Sequence, residues 1–188
     1  MAVKDMSYRE RGLLLSMFAH QCYSEPKDLL KKRPGIKDLA PLKKFLNKPL
    51  PPTYIDVDGA QAYVMSDSKD VLIACRGTEP TAWSDIKADL KIRRVKCPTG
   101  FVHRGFRDAL NEVWPDVASW LSAAKCEHVF FTGHSLGGAL ATLAASRWNT
   151  ETTHLYTFGS PRVGGKKFVQ SFKTKERYRY RNNNDIVT

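Results

Sequence analysis

"HVFFTGHSLGGALATLAASRW", residues His128 to Trp148, joins an apolar, aromatic run to an alanine-rich helical segment through five residues, Gly133-His134-Ser135-Leu136-Gly137. These five have the form G-x-S-x-G, which chance alone produces in about 6% of chains this long at average glycine and serine usage. The context sharpens it. A strand-like run before the motif and a helix after it define the sharp turn that holds a serine Oγ clear of a sheet. Gly133 and Gly137 remove Cβ atoms where strand and helix converge, and Gly138 extends the small surface. A glycine-rich loop cradling phosphate is the competing reading. The stretch lacks the lysine of G-x-x-x-x-G-K-[ST] and does not fit G-x-G-x-x-G.

Strand- and helix-like segments alternate outward from this motif. After it come strand "HLYTFGS", a short helix around Lys166–Phe172 and strand "RYRYRN". In the last, Tyr178 and Tyr180 are expected inward and Arg177, Arg179 and Arg181 outward. Before it, Gly105 to Lys125 has helical period, with Phe106, Leu110, Val113, Val117, Trp120 and Leu121 near one face and a kink or break expected at Pro115. Earlier still, "TYIDV" and "AQAYVMS" read as strands joined by a hairpin at Asp58-Gly59, followed by strand "VLIACRG". Ser7 to Tyr23 reads as a helix with Leu14, Met17, Phe18 and Cys22 near one face, and Glu25 to Pro52 as a basic, proline-punctuated connection. The alternation predicts an α/β fold, with a mostly parallel central sheet and helices on both faces. A single domain is expected over residues 1–188, with 1–52 as lead-in and 53–188 as the core.

Composition excludes little. Hydrophobic residues are 42% and charged residues 26%, as in an ordinary globular chain. No apolar run approaches the ~20 residues of a membrane-spanning helix. The N-terminus has no apolar leader core, which leans towards the cytoplasm, although a removed export signal would leave the same picture. Four cysteines without CxxC spacing read as free thiols, Cys75 as a small buried hydrophobe. No metal-ligand spacing and no cofactor motif appears. Net charge is +11, and "KTKERYRYR" interleaves arginine with aromatics as some nucleic-acid platforms do. The same alternation fits a half-buried strand, so no nucleic-acid partner is expected.

Together "GHSLGGALA", "RGT" at Arg76–Thr78, "VHRGF" at Val102–Phe106 and "TFGSPRVG" at Thr157–Gly164 resemble the class 3 lipases, α/β-hydrolases of the fungal triacylglycerol lipase type. The resemblance runs in order from about Val57 to Val187. It implies Ser135 as nucleophile, with the oxyanion held by the backbone N–H of Leu136 and by Thr78, which follows strand "VLIACRG" and offers both an N–H and a hydroxyl. Thr78 as a plain turn residue or helix cap is the alternative. The family pattern also makes the segment carrying Trp83, Ile86 and Leu90 on one helical face a lid that swings away at a lipid surface. A small helix packed permanently on the core is its bland counterpart.

The triad order of this superfamily is Ser, then Asp or Glu, then His. Glu151, Glu176 and Asp185 follow Ser135, and Asp185 in "NNNDIV" matches the class 3 pattern. The five histidines are His20, His103, His128, His134 and His154. His128 and His154 begin strands at the end away from the turn, His134 is expected to point away along it, and His103 is the one remote candidate for the base. The expected base lies after a further strand, beyond Thr188. Either the chain is a fragment that continues past Thr188 or it is a relative without turnover, and the retention of Ser135, Thr78 and Asp185 favours the first. The expected function is a lipase or carboxylesterase acting on lipid or small esters, with no cofactor or metal. A catalytically inactive lipid- or anion-binding relative is the alternative.

Overall fold

The computed structural model describes residues 2–29, 31, 38, 40–46, 52–57, 59–67, 69–77, 94–174 and 176–181. Its core is a six-stranded sheet in the order β1-β2-β3-β6-β7-β8. Strands β1 (Thr53–Val57), β2 (Ala60–Ser66) and β3 (Asp70–Arg76) run antiparallel in sequence. From β3 onward pairing is parallel, through β6 (His128–His134), β7 (Thr153–Phe158) and β8 (Arg177–Tyr180). The hairpin expected at Asp58-Gly59 is present: Val57 pairs with Ala60, and Gly59 takes φ +83°, a conformation that costs glycine little.

Period-two alternation along β6 divides the core into two layers. Phe131 faces a cluster built by helix α3 (Arg104–Ala123) and helix α4 (Leu136–Trp148), including Phe106, Leu110, Val113 and Leu140. Phe130 faces the opposite cluster, where helix α1 (Tyr8–Gln21) contributes Leu14, Leu15 and Phe18, and helix α2 (Ala40–Leu46) contributes Leu42. Helices therefore cover both faces, as the alternation of segments predicted. α1 opens with a capping box, in which Ser7 Oγ accepts from the Glu10 amide and Glu10 accepts from the Ser7 amide.

Three local differences from the sequence reading have physical causes. α3 runs unbroken through Pro115, which is exposed, while Phe106, Leu110, Val113, Val117 and Leu121 are all buried and hold the helix on the sheet. A small hairpin lies before α3, β4 (Arg94–Cys97) with β5 (Gly100–His103), whose short, charged strands concealed it in the sequence. Third, β8 is the edge strand of the sheet among the described residues. Tyr178 packs between Tyr156 and Tyr8 on the α1 face, but Tyr180 is 37% exposed although it stacks on Phe158.

Cys75 is buried within β3 and its thiol is pushed up to about 12 by burial, which makes it inert at neutral pH. No helix among the described residues is long and apolar enough to cross a membrane.

Candidate active site

Ser135 sits where β6 ends and α4 begins, at φ 55° and ψ −125°. A non-glycine residue is costly there, and such strain persists only when the surroundings over-determine it. They do so here. The Ser135 amide donates to the Phe158 carbonyl of β7 at 3.0 Å, and the Ser135 carbonyl accepts from the amides of Gly138 and Ala139 in the first turn of α4. The Ser135 side chain makes no capping bond to the helix it precedes. Its oxygen stands at the carboxyl ends of the parallel strands, where open α/β sheets carry their chemistry.

The glycines make this turn possible. A Cβ on Gly133 would overlap the Gly137 carbonyl, and a Cβ on Gly137 would overlap the Cys75 carbonyl oxygen of β3. Strand, elbow and helix thus touch backbone to backbone. The end of β3 reaches the same point: a Cβ on Gly77 would lie 2.8 Å from the Gly137 nitrogen and 3.1 Å from the Leu136 Cβ. The first amides of α4 have no intrahelical partner, and the positive end of the helix dipole favours an anion beside them. Thr78, the next residue after Gly77, lies outside the described residues. So do Trp83, Ile86 and Leu90, the segment read as a lid, and Asp185.

The other candidate acids are at the wrong end. Glu151 is exposed in the turn before β7, and Glu176 directly precedes β8, both at the amino ends of strands parallel to β6. Glu176 accepts from His154 Nδ1 at 2.8 Å and pairs with Arg11 at 3.4 Å. His154 in turn shares a hydrogen bond of 3.0 Å with His128 Nδ1. This chain of side chains joins α1, β6, β7 and β8 at the end of the sheet opposite Ser135. His134 is exposed beside the elbow, edge-on to Tyr23 at 6.4 Å. His103 precedes α3 with its ring 4.5 Å from Phe106, and neither ring nitrogen has a hydrogen-bond partner among the described residues, so no bond joins it to Ser135.

One contributor escaped the sequence reading. The Tyr23 hydroxyl, just past α1, donates to the His134 carbonyl at 3.2 Å and lies 2.9 Å from the position of a Gly77 Cβ. The Arg76 guanidinium lies 5.8 Å from the centre of the Tyr23 ring. The N-terminal helix therefore braces both the elbow and the turn after β3. No local motif marks Tyr23, because its partners are more than fifty residues away in sequence.

Comparisons with known proteins agree with this geometry. A secreted mono- and diacylglycerol lipase of Fusarium solani is 37% identical over 142 residues, which cover 69% of this chain and 42% of that protein. The chain thus spans less than half the length of this curated relative. The solved triacylglyceride lipase of Rhizomucor miehei matches 97% of this chain and 74% of its own, with a TM-score of 0.70 and 26% identity. A triacylglycerol lipase whose catalytic centre is described as a serine protease triad matches with a TM-score of 0.72 and 26% identity, over the same shares of both chains. The family model for Lipase (class 3) matches residues 72–188, from the middle of β3 through the elbow and beyond. Matched over well over half its length and carrying the serine elbow on an α/β-hydrolase sheet, the chain belongs to the class 3 lipases.

Proposed function

We propose that the whole protein is a serine-dependent carboxylic-ester hydrolase acting on acylglycerols or similar lipid esters. The observation that carries the proposal is the strained, uncapped Ser135 at the carboxyl end of the central strand. In the proposed reaction Ser135 Oγ attacks the ester carbonyl and gives its proton to a histidine. The Leu136 N–H and Thr78 hold the oxyanion, each such donor being worth about 10²–10³ in rate. The tetrahedral intermediate expels the alcohol, which takes the proton from the histidine. Water then attacks the acyl-enzyme, and the fatty acid leaves.

Asp185 is assigned the role of orienting that histidine. In support, β8 runs parallel to β6, and its last residue, Tyr180, pairs with Phe158, the residue whose carbonyl holds the Ser135 amide. The chain therefore leaves β8 on the elbow side of the sheet shortly before Asp185. No hydrogen bond joins Ser135 to any of the five described histidines (His20, His103, His128, His134, His154), and the proposed base is assigned to none of them. Trp83, Ile86 and Leu90 are assigned to a lid that opens at a lipid–water interface, where exposing an apolar face is cheaper than in water. The proposal invokes no metal and no organic cofactor. The Fusarium relative is secreted by name, which weighs against the cytoplasmic lean of the N-terminus.

The test is hydrolysis of p-nitrophenyl esters and emulsified acylglycerols by the complete gene product. Ser135→Ala is expected to lower kcat at least ~10⁴-fold while the protein stays folded. Activity that survives the substitution overturns the assignment, and an inert but folded wild type supports a binding protein instead.

A further inference from the structure

The basic, aromatic stretch around β8 is not used by the proposed chemistry, and the structure gives it a distinct setting. In the register of β7 with β8, Arg177 stands opposite Leu155 and Arg179 opposite Thr157. The tyrosines of β8 face α1, so the arginines share the other face with α4 and helix α5 (Lys166–Gln170). There they line a cavity of about 530 Å³ between the sheet, α4 and α5. Volumes of this order hold small organic ligands, in sites that are mostly apolar with a few placed polar groups.

The lining is divided by chemistry. Leu155, Val163 and Phe168 form a buried floor, with Phe172 beside them. Arg162, Lys166, Arg177 and Arg179 are the charged lining residues, and among the described residues the lining contains no aspartate or glutamate. Arg177 is anchored, donating to the Val169 carbonyl at 2.6 Å with its guanidinium 5.3 Å from the centre of the Phe172 ring. A carbonyl takes up one of five N–H donors and neutralises no charge. The wall thus offers a fixed cation next to an apolar floor.

We propose that this cavity binds a single-chain amphiphile with an anionic head, namely a fatty-acid carboxylate, with its alkyl chain on Leu155, Val163 and Phe168 and its head at Arg177 and Lys166. A neutral acyl chain would leave Arg177 and Lys166 without an anionic partner. A small inorganic anion would leave the floor unfilled. Fatty acid is what lipid-ester hydrolysis releases; that link to product binding rests on the proposed function, whereas the binding itself does not.

The experiment is calorimetric titration of monomeric decanoate into the Ser135→Ala protein, so that binding is read without turnover and the two proposals fail separately. Saturable binding at one site is expected, with 1-decanol and inorganic phosphate each binding at least about tenfold more weakly. Arg177→Gln should weaken decanoate binding about tenfold or more, the range of a lost charge-assisted hydrogen bond. Arg177→Lys should restore part of it, and Thr142→Trp, which fills the cavity from α4, should abolish it. Lys166→Gln, at an exposed position where folding is not at stake, should weaken it several-fold. Equal affinity for decanol, or decanoate binding unchanged in both Arg177→Gln and Lys166→Gln, overturns the proposal. Vesicles of neutral lipid carrying phosphatidylglycerol form a second arm. Binding to them that decanoate does not displace assigns the cations to a membrane surface and also overturns it.

Discussion

At the scale of single residues, Ser135 and Gly137 carry opposite demands. Ser135 holds a left-handed φ of 55° for the sake of its hydroxyl, and Gly137 is glycine because the Cys75 carbonyl occupies the space of a side chain. Strain at a residue such as Ser135 costs about 1–3 kcal/mol. Ser135→Gly is therefore expected to raise stability by about 1 kcal/mol in urea unfolding, whereas Ser135→Ala keeps the Cβ and gains nothing comparable. An elbow that is unstrained in solution gives equal midpoints for the two variants. Gly137→Ala acts the other way. Its methyl meets backbone that cannot rotate aside, so a loss of about 1–3 kcal/mol is expected. A midpoint within error of wild type would mean that β3 and α4 are not in contact as described.

Elements are tied together at the far end of the sheet by the Arg11–Glu176–His154–His128 chain. His154 lies against the Phe130 ring at 4.4 Å, and its pKa is lowered from the usual 6.5 by burial, against the opposing pull of Glu176. A histidine depressed in the folded state takes its proton later than the same histidine in the unfolded chain. As pH falls below about 6.5 the unfolded state is protonated first, so stability falls with pH until the lower folded pKa is reached. Urea midpoints at pH 7.5 and 5.5 should therefore drop more for wild type than for His154→Gln. A drop of the same size in both proteins removes His154 from the account.

On the scale of the whole molecule, β6 is the partition between two cores. Phe130 and Phe131 are both fully buried but belong to different clusters, one closed by α1 and α2, the other by α3 and α4. Phe130→Leu and Phe131→Leu should each cost about 1–2 kcal/mol. Because they pack in separate clusters on opposite faces of the sheet, the double variant should show the sum within about 0.5 kcal/mol, read from unfolding curves. A large excess would show that the layers relax together across the sheet.

Sequence alone determined the alternation of strands and helices, the serine turn and its glycines, and the family. Each of these is written in local spacing: period two in β6, period 3.6 in α3, and backbone contact at Gly133 and Gly137. The β4–β5 hairpin was hidden because its strands are short and charged, and α3 passed Pro115 because packing of its buried face outweighs the lost bond. Tertiary structure decided what lies far apart in the chain. It set Tyr23 against the elbow, gathered Glu176, His154 and His128 at the end away from Ser135, and placed the exposed Arg177 and Arg179 of β8 at the rim of a cavity beside α4 and α5. These juxtapositions depend on strand order and on which face each strand presents to which helix. No short window of residues encodes that, because the partners meet only when the sheet closes.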